Sequence, residues 1–174
     1  MDILIEKLKV EDEAGFYDFI KRQNEEDLLL FTRWRSYISS ESLLKKFIHQ
    51  ECLIDESSGL RIIAKDSDNK IRGYGLIDFF KENSKKHVAV VGTIVDNKFR
   101  QQGIGKQLLS KEIEICKNFN KKKIRATVHE HNIGSVKLHQ SLGFLIEGKF
   151  IAEEFYGKYI NVLSLALFTE PINM

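Results

Sequence analysis

RQQGIGKQLL, residues 100–109, sets two glycines one residue apart at the entry to a stretch with helical spacing, and Arg100 stands three residues before the first glycine. Bare backbone at a helix entry has a physical use. The first N–H groups of a helix lack partners inside it, and the aligned peptide dipoles place partial positive charge there. Glycine removes the Cβ that would hold an anion away from those donors. A guanidinium adds a fixed positive fork. The stretch therefore predicts an anion site at Arg100, Gln101, Gln102, Gly103, Ile104, Gly105 and Lys106. Two nucleotide patterns fail on it. A P-loop needs Gly at position 100 and Ser or Thr at position 107, where Arg100 and Gln107 stand. A dinucleotide fingerprint needs Gly at position 108, which is Leu108. A plain helix entry with glycines for tight packing reads the same, and the stretch alone does not separate the two.

Working outward, residues 88–95 (VAVVGTIV) form a nearly unbroken apolar run that predicts a central strand covered on both faces. Gly92 inside it marks a bulge or a close approach of another chain. After the glycines, Ile104, Leu108, Leu109, Ile113, Cys116 and Phe119 repeat near 3.6 residues and predict a helix with one buried face. Lys121, Lys122 and Lys123 read as a solvated turn, IRATV (124–128) as a strand, and 133–142 as a helix offering Ile133, Val136 and Leu142 to the core. Residues 144–155 and 159–168 read as two late strands joined by YGKY. Upstream, 3–9 predicts a strand and 11–23 a helix. A second helix, capped by Ser40, runs to about 55, and strands follow at 60–65 and 71–80. Residues 24–40 read as loop with a helical turn. The order β-α-α-β-β-β-α-β-α-β-β is a mixed α/β sheet flanked by helices.

The chain of 174 residues is long enough for a core and has no linker, so a single domain over 1–174 is expected. Net charge of +2 gives no reason to expect nucleic acid. Cys52 and Cys116 stand far apart and read as reduced thiols rather than a disulfide frame. The N-terminus is too charged for a signal peptide, and no apolar run approaches a membrane span. A soluble, cytoplasmic protein without a membrane partner is the expectation.

A second motif weighs against the plain helix entry. Residues 132–144, NIGSVKLHQSLGF, closely resemble the Asn-x-x-Ala/Ser-x-x-Leu-Tyr/His-x-x-x-Gly-Phe signature of the GCN5-related N-acetyltransferase (GNAT) family. Arg100, Gly103 and Gly105 fit that family's Arg/Gln-x-x-Gly-x-Gly/Ala pyrophosphate loop, one helix and one strand earlier. The close resemblance spans about residues 87–168. It implies a mostly antiparallel central sheet, the acyl-CoA N-acyltransferase fold, with splayed central strands. It implies acetyl-CoA as co-substrate, its pantetheine pairing with the strand backbone at Gly92, Ile94 and Val95. Asn132 would bond the pantetheine arm, Ser135 would lie beside the cofactor, and Gln101 to Lys106 would hold the pyrophosphate. The acceptor would be a small-molecule or protein amine, and a homodimer is left open.

Two departures from the family pattern bear on catalysis. His139 replaces the usual tyrosine, a Leu-His variant that resembles phosphinothricin-type acetyltransferases, so His139 is the candidate acid or thiol-orienting group, with plain packing as the alternative. The central strand offers Val90, Val91, Gly92 and Thr93 where many relatives carry a glutamate base. Glu130 is carried forward as the catalytic candidate, with His129, Glu147 and Asp78 open beside it. His129 and His131 lack a third ligand at metal spacing, and no metal is expected. Phe31, Trp34, Tyr156 and Tyr159 fall in loops that flank the acceptor site in relatives, and loop packing is the alternative. The sequence therefore points to an acetyl-CoA-dependent N-acetyltransferase in which a primary amine attacks the thioester directly, or else to a catalytically silent acyl-CoA-binding module.

Overall fold

The computed structural model describes residues 2–23 and 40–171; the loop reading over residues 24–39, with Phe31 and Trp34, lies outside them. The elements are β1 (Leu4–Lys7), α1 (Glu13–Arg22), α2 (Glu41–Cys52), β2 (Gly59–Lys65), β3 (Ile71–Phe79), β4 (Val88–Val95), α3 (Ile104–Asn118), β5 (Lys123–His129), α4 (Ile133–Ser141), β6 (Leu145–Phe155) and β7 (Tyr159–Phe168). Their order is the one the sequence predicts. Among the described residues, seven strands form one sheet in the order β1-β2-β3-β4-β5-β7-β6, so the VAVVGTIV run is the central strand. The β1–β2, β5–β7 and β6–β7 pairs are antiparallel. β4 and β5 pair in parallel from Val88↔Lys123 to Val90↔Arg125, and beyond that register the strands continue to Val95 and His129. The fold is thus mixed α/β, with an open seven-stranded sheet and flanking helices.

The chain divides into two compact units, Met1–Leu76 with Thr93–Leu108, and Ile77–Gly92 with Leu109–Met174. In the first, the α1 stripe of Phe16, Phe19 and Ile20 packs with Leu44, Phe47 and Ile48 of α2 and with Ile63 and Tyr74 of the sheet. Phe16 stacks on Tyr74 with ring centroids 4.8 Å apart. β2 is buried along its whole length, so its charged residues need partners. Arg61 donates to the Glu51 carboxylate at 2.5 Å, and the Tyr74 hydroxyl donates to the same carboxylate. Ser40 takes the N-cap position of α2 with extended backbone, but its side chain makes no capping bond; its hydroxyl meets that of Ser42 instead.

In the second unit, β7 runs between β5 and β6 in the registers Lys123↔Phe168 to His129↔Val162 and Leu145↔Ala166 to Phe155↔Tyr159. Three expectations are corrected there. Phe119 lies just past the end of α3 and is exposed, with its ring against Phe79. Of the three lysines, Lys121 and Lys122 lie in the partly exposed link before β5, but Lys123 is already a strand residue. Lys121 donates to the Lys86 carbonyl over the Phe79 ring, Lys122 pairs with Glu170, and Lys123 opens β5 paired with Glu147. In α4, Ile133 is exposed and Val136 and Leu142 are half-buried; the side chain turned inward is His139. The helix stops by hydrogen bonds that explain the Gly-Phe pair of the motif. Phe144 N–H donates to the His139 carbonyl and Gly143 N–H to that of Gln140. This closure needs a left-handed residue after the helix, and Gly143 supplies it with φ +91°. Phe144, thus pinned, is buried edge-on against the His139 ring.

Candidate functional site

The first group of candidate residues lies at the end of β4 and the start of α3. The chain leaves Val95 through Asp96, whose carboxylate accepts from Lys98 N–H at 3.2 Å. Asp96 is buried and is met by Arg22 at 3.3 Å and Arg72 at 3.8 Å. The Arg72 guanidinium lies 3.9 Å from the centre of the Phe99 ring. A carboxylate, two arginines and an aromatic ring therefore fasten the segment that leads into the glycine loop. Sequence reasoning passed over these four residues, although an aspartate one residue past a strand, two before a backbone N–H, is a recognised turn signal.

Beyond Phe99 the backbone takes the geometry that glycine was expected to serve. Gln101 has φ +61° and Gly103 φ +84°, both left-handed, and α3 follows at once. Gln107 N–H donates to the Gly103 carbonyl at 3.0 Å, so Gly103 is the residue on which the helix starts. The next N–H groups, of Ile104, Gly105 and Lys106, open a helix running to Asn118 and point out of its first turn. Ile104 anchors that turn in the core, whereas Gln101, Gln102, Gly103 and Lys106 are exposed. Arg100 is exposed, and its Nε donates to the Val95 carbonyl at 3.3 Å, which ties the loop to the strand end. Alternating left-handed residues before a helix form a concave set of backbone donors, suited to a phosphate. Ile94 turns its side chain into the core, leaving backbone groups as its means of meeting a ligand.

The second group lies at the start of α4. Asn132 Oδ1 accepts from Ser135 N–H at 3.1 Å, so Asn132 caps the helix; its carboxamide NH₂ is a separate donor. Ser135 offers its carbonyl to His139 Nδ1 at 2.8 Å. A carbonyl only accepts, so Nδ1 carries the hydrogen and Nε2 of the neutral ring is a bare lone pair. Nε2 is buried and has no hydrogen-bond partner among the described residues. Burial lowers the pKa of His139, outweighing the opposing pull of the Ser135 carbonyl. The resting ring is therefore a neutral acceptor. This geometry does not favour the acid role that the sequence suggested for it.

Glu130 is exposed, with its carboxylate bonded to Lys149 at 2.6 Å and to the Asn161 amide at 2.9 Å, and these partners lower its pKa. Such an engaged carboxylate is a weak base. Glu147 is likewise engaged, by Lys123 and by Ser164 at 3.0 Å. His129 is buried, and its Nε2 stands 2.8 Å from Glu154 Oε2. The His131 ring lies 5.4 Å and the Tyr156 ring 6.3 Å from that of His129. Tyr159 is exposed and rests on Phe155 with centroids 5.1 Å apart. Among the described residues no group of three His, Cys, Asp or Glu side chains is placed to hold a metal ion, and no helix is long and apolar enough to cross a membrane. Cys52 and Cys116 are free thiols, both pushed up to about 12 by burial.

Residues 22–144 match the family model described as the acetyltransferase (GNAT) family. The L-amino acid N-acetyltransferase AaaT of Escherichia coli (strain K12) is 31% identical over 100 residues, 57% of this chain and 61% of that protein. The spermine/spermidine N(1)-acetyltransferase of Bacillus subtilis (strain 168) is 28% identical over 94 residues, 53% of this chain and 60% of that protein. The matches thus span about three fifths of the length of these curated relatives. In fold, the chain is similar to yncA of Salmonella typhimurium, solved with its cofactor acetyl-CoA. The TM-score is 0.78 at 15% identity, over 100% of this chain and 98% of the other.

Proposed function

Since the chain belongs to the acetyltransferase (GNAT) family, we propose that it is an acetyl-CoA-dependent N-acetyltransferase acting on a primary amine. The observation that carries this reading is the left-handed turn at Gln101 and Gly103 at the mouth of α3, joined to Arg100. Its donors suit a pyrophosphate. In this reading the N–H groups of Gln101 to Lys106 hold the pyrophosphate, with Arg100 and Lys106 supplying positive charge. The backbone of Ile94 and Val95 is the candidate partner of the pantetheine amides in the first unit; in the second unit, the Asn132 carboxamide is a candidate donor to a pantetheine amide. Acetyl-CoA supplies an activated acyl thioester. The Val95 N–H is the candidate donor to the negative charge that develops on the carbonyl oxygen. Tyr156 and Tyr159 line the acceptor side.

The chain must also remove a proton from the acceptor. An amine with pKa about 10.4 is only about 0.04% neutral at pH 7, a barrier of about 4.6 kcal/mol. The relatives are named for amino acids and polyamines, and the acceptor here is proposed to belong to one of those classes. One observation favours a second reading, a silent acyl-CoA-binding module. His139 is held as a neutral acceptor, and Glu130 is bound up in a salt bridge. Thiol release from acetyl-CoA over a panel of L-amino acids, spermidine and peptide N-termini separates the two. Release that depends on the amine supports the transferase. Tight CoA binding with no release on any amine leaves the binding module.

A further inference from the structure

The amine needs a proton acceptor, and neither Glu130 nor the central strand provides a free one. The second unit contains another candidate, built by an irregularity in β6. The β6–β7 register passes from Phe150↔Val162 to Glu154↔Ile160, so four steps along β6 are matched by two along β7. The extra residues include Ala152 at φ +53°, a left-handed conformation that a residue with a Cβ rarely takes. Asn161 holds the bulge by accepting from Ala152 N–H at 2.9 Å while donating to Glu130. Bulges re-aim side chains and cluster beside active sites. Here the residue immediately after the bulge, Glu154, reaches across β7 to meet His129 of β5 at 2.8 Å.

We propose that His129, oriented by Glu154, is the general base that deprotonates the acceptor amine; the proposal rests on the transferase reading above. The Glu154 carboxylate only accepts, so it holds the hydrogen of the neutral imidazole on Nε2 and leaves Nδ1 as the basic lone pair. It also stabilises the imidazolium once formed, the role of the carboxylate in a carboxylate–imidazole pair. The pair is placed for this task. His129 is the last residue of β5, and its carbonyl accepts from Asn132 N–H at 2.9 Å, so two residues separate the base from the proposed pantetheine-binding amide. Tyr156, from the turn expected to flank the acceptor, faces the same imidazole. Among the described residues, Glu154 from β6, His131 from the turn after β5 and Tyr156 from the β6–β7 turn are titratable groups set against His129.

The protons balance. His129 Nδ1 takes one proton from the ammonium group, directly or through one water. The freed lone pair forms the C–N bond as the C–S bond breaks, the second nitrogen proton goes to the departing thiolate, and His129 returns its proton to solvent.

The test uses the full chain with acetyl-CoA and, as probes, spermidine and a set of L-amino acids. His129→Gln should lower kcat by about 10²-fold or more at pH 7, the range for one general base, with CoA affinity by calorimetry within twofold of wild type. The deficit should shrink as pH rises and the amine loses its proton unaided. Glu154→Gln, the variant to use if His129→Gln does not fold, should lower kcat by about tenfold and shift the acid limb of the kcat/KM profile. Nitrogen-15 spectra of the wild-type histidine rings at alkaline pH should show Nε2–H on His129. A kcat within twofold of wild type in either variant, a deficit that does not change with pH, or a parallel loss of CoA affinity overturns the proposal. Absence of turnover by the wild type on every amine overturns the transferase reading and this base together, and is seen before any variant is made.

Discussion

Replacing Gly103 by valine probes the anion loop at the point where its geometry is most constrained. A Cβ built on Gly103 has Gln107 Nε2 as its nearest neighbour, 4.0 Å away, so the ligand-free protein has room for it. The cost is conformational. Gly103 sits at φ +84°, where a residue with a Cβ loses about 1–2 kcal/mol and a β-branched one more. If the loop keeps its shape, the melting temperature falls by about 2–4 °C per kcal/mol, and the side chain stands among the helix-entry donors. If the loop relaxes, stability recovers but the N–H groups are re-aimed. Losing one hydrogen bond to a charged phosphate costs about 1.5–3 kcal/mol, so on either course CoA should bind at least about tenfold more weakly. Isothermal titration with CoA reads this directly. Gly157→Val is the control. Gly157 has φ +72° and open space around its Cβ, so it carries the same strain away from the loop and should leave CoA affinity unchanged. A folded Gly103→Val chain that binds CoA with wild-type affinity would refute the pyrophosphate reading.

Asn132 separates capping from ligand binding. Asn132→Asp keeps the oxygen that accepts from Ser135 N–H and should retain stability while weakening CoA binding, whereas Asn132→Ala should also lose about 1 kcal/mol of stability; urea titration and calorimetry read the two effects. His139 has a lowered pKa in the folded chain, so below the unfolded value of about 6.5 the unfolded chain binds the extra proton. The contribution of His139 to stability should be whole above that pH and be lost as pH falls toward the folded value. Thermal melts from pH 8 to 5 should show a smaller acid loss for His139→Phe than for wild type. Glu51→Ala removes the carboxylate that faces buried Arg61 and Tyr74 and should cost about 3–5 kcal/mol in urea unfolding.

Element order and the glycine loop were legible because each rests on local chemistry. Apolar periodicity marks β4 and α3, and only a small residue tolerates the left-handed turns at Gly103 and Gly143. The inward face of α4 was not legible. Periodicity assigns Ile133, Val136 and Leu142 to the core, but His139 bonds its own helix carbonyl and can be buried, while Ile133 at the helix start lies outside. The bulge of β6 carries no sequence signal, because its left-handed residue is an alanine rather than a glycine. Without the bulge there was no reason to rank His129 above Glu130, since a period-two strand does not reveal which carboxylate reaches across it. The lysine run was legible in part. Charge placed it toward solvent, where it is still partly exposed, but not the carbonyl and carboxylates that the ammonium groups meet there.

The most direct test of the account is transfer of the acetyl group itself. The full chain is incubated with acetyl-CoA isotopically labelled in the acetyl group and with the panel of L-amino acids, spermidine and peptide N-termini, and the products are read by mass spectrometry alongside free thiol. The account predicts labelled acetyl on the nitrogen of at least one amine, in one-to-one ratio with the thiol released, and loss of both signals together in Gly103→Val at limiting acetyl-CoA. Thiol release without labelled amide, or labelled CoA bound and unreacted with every amine, would contradict it.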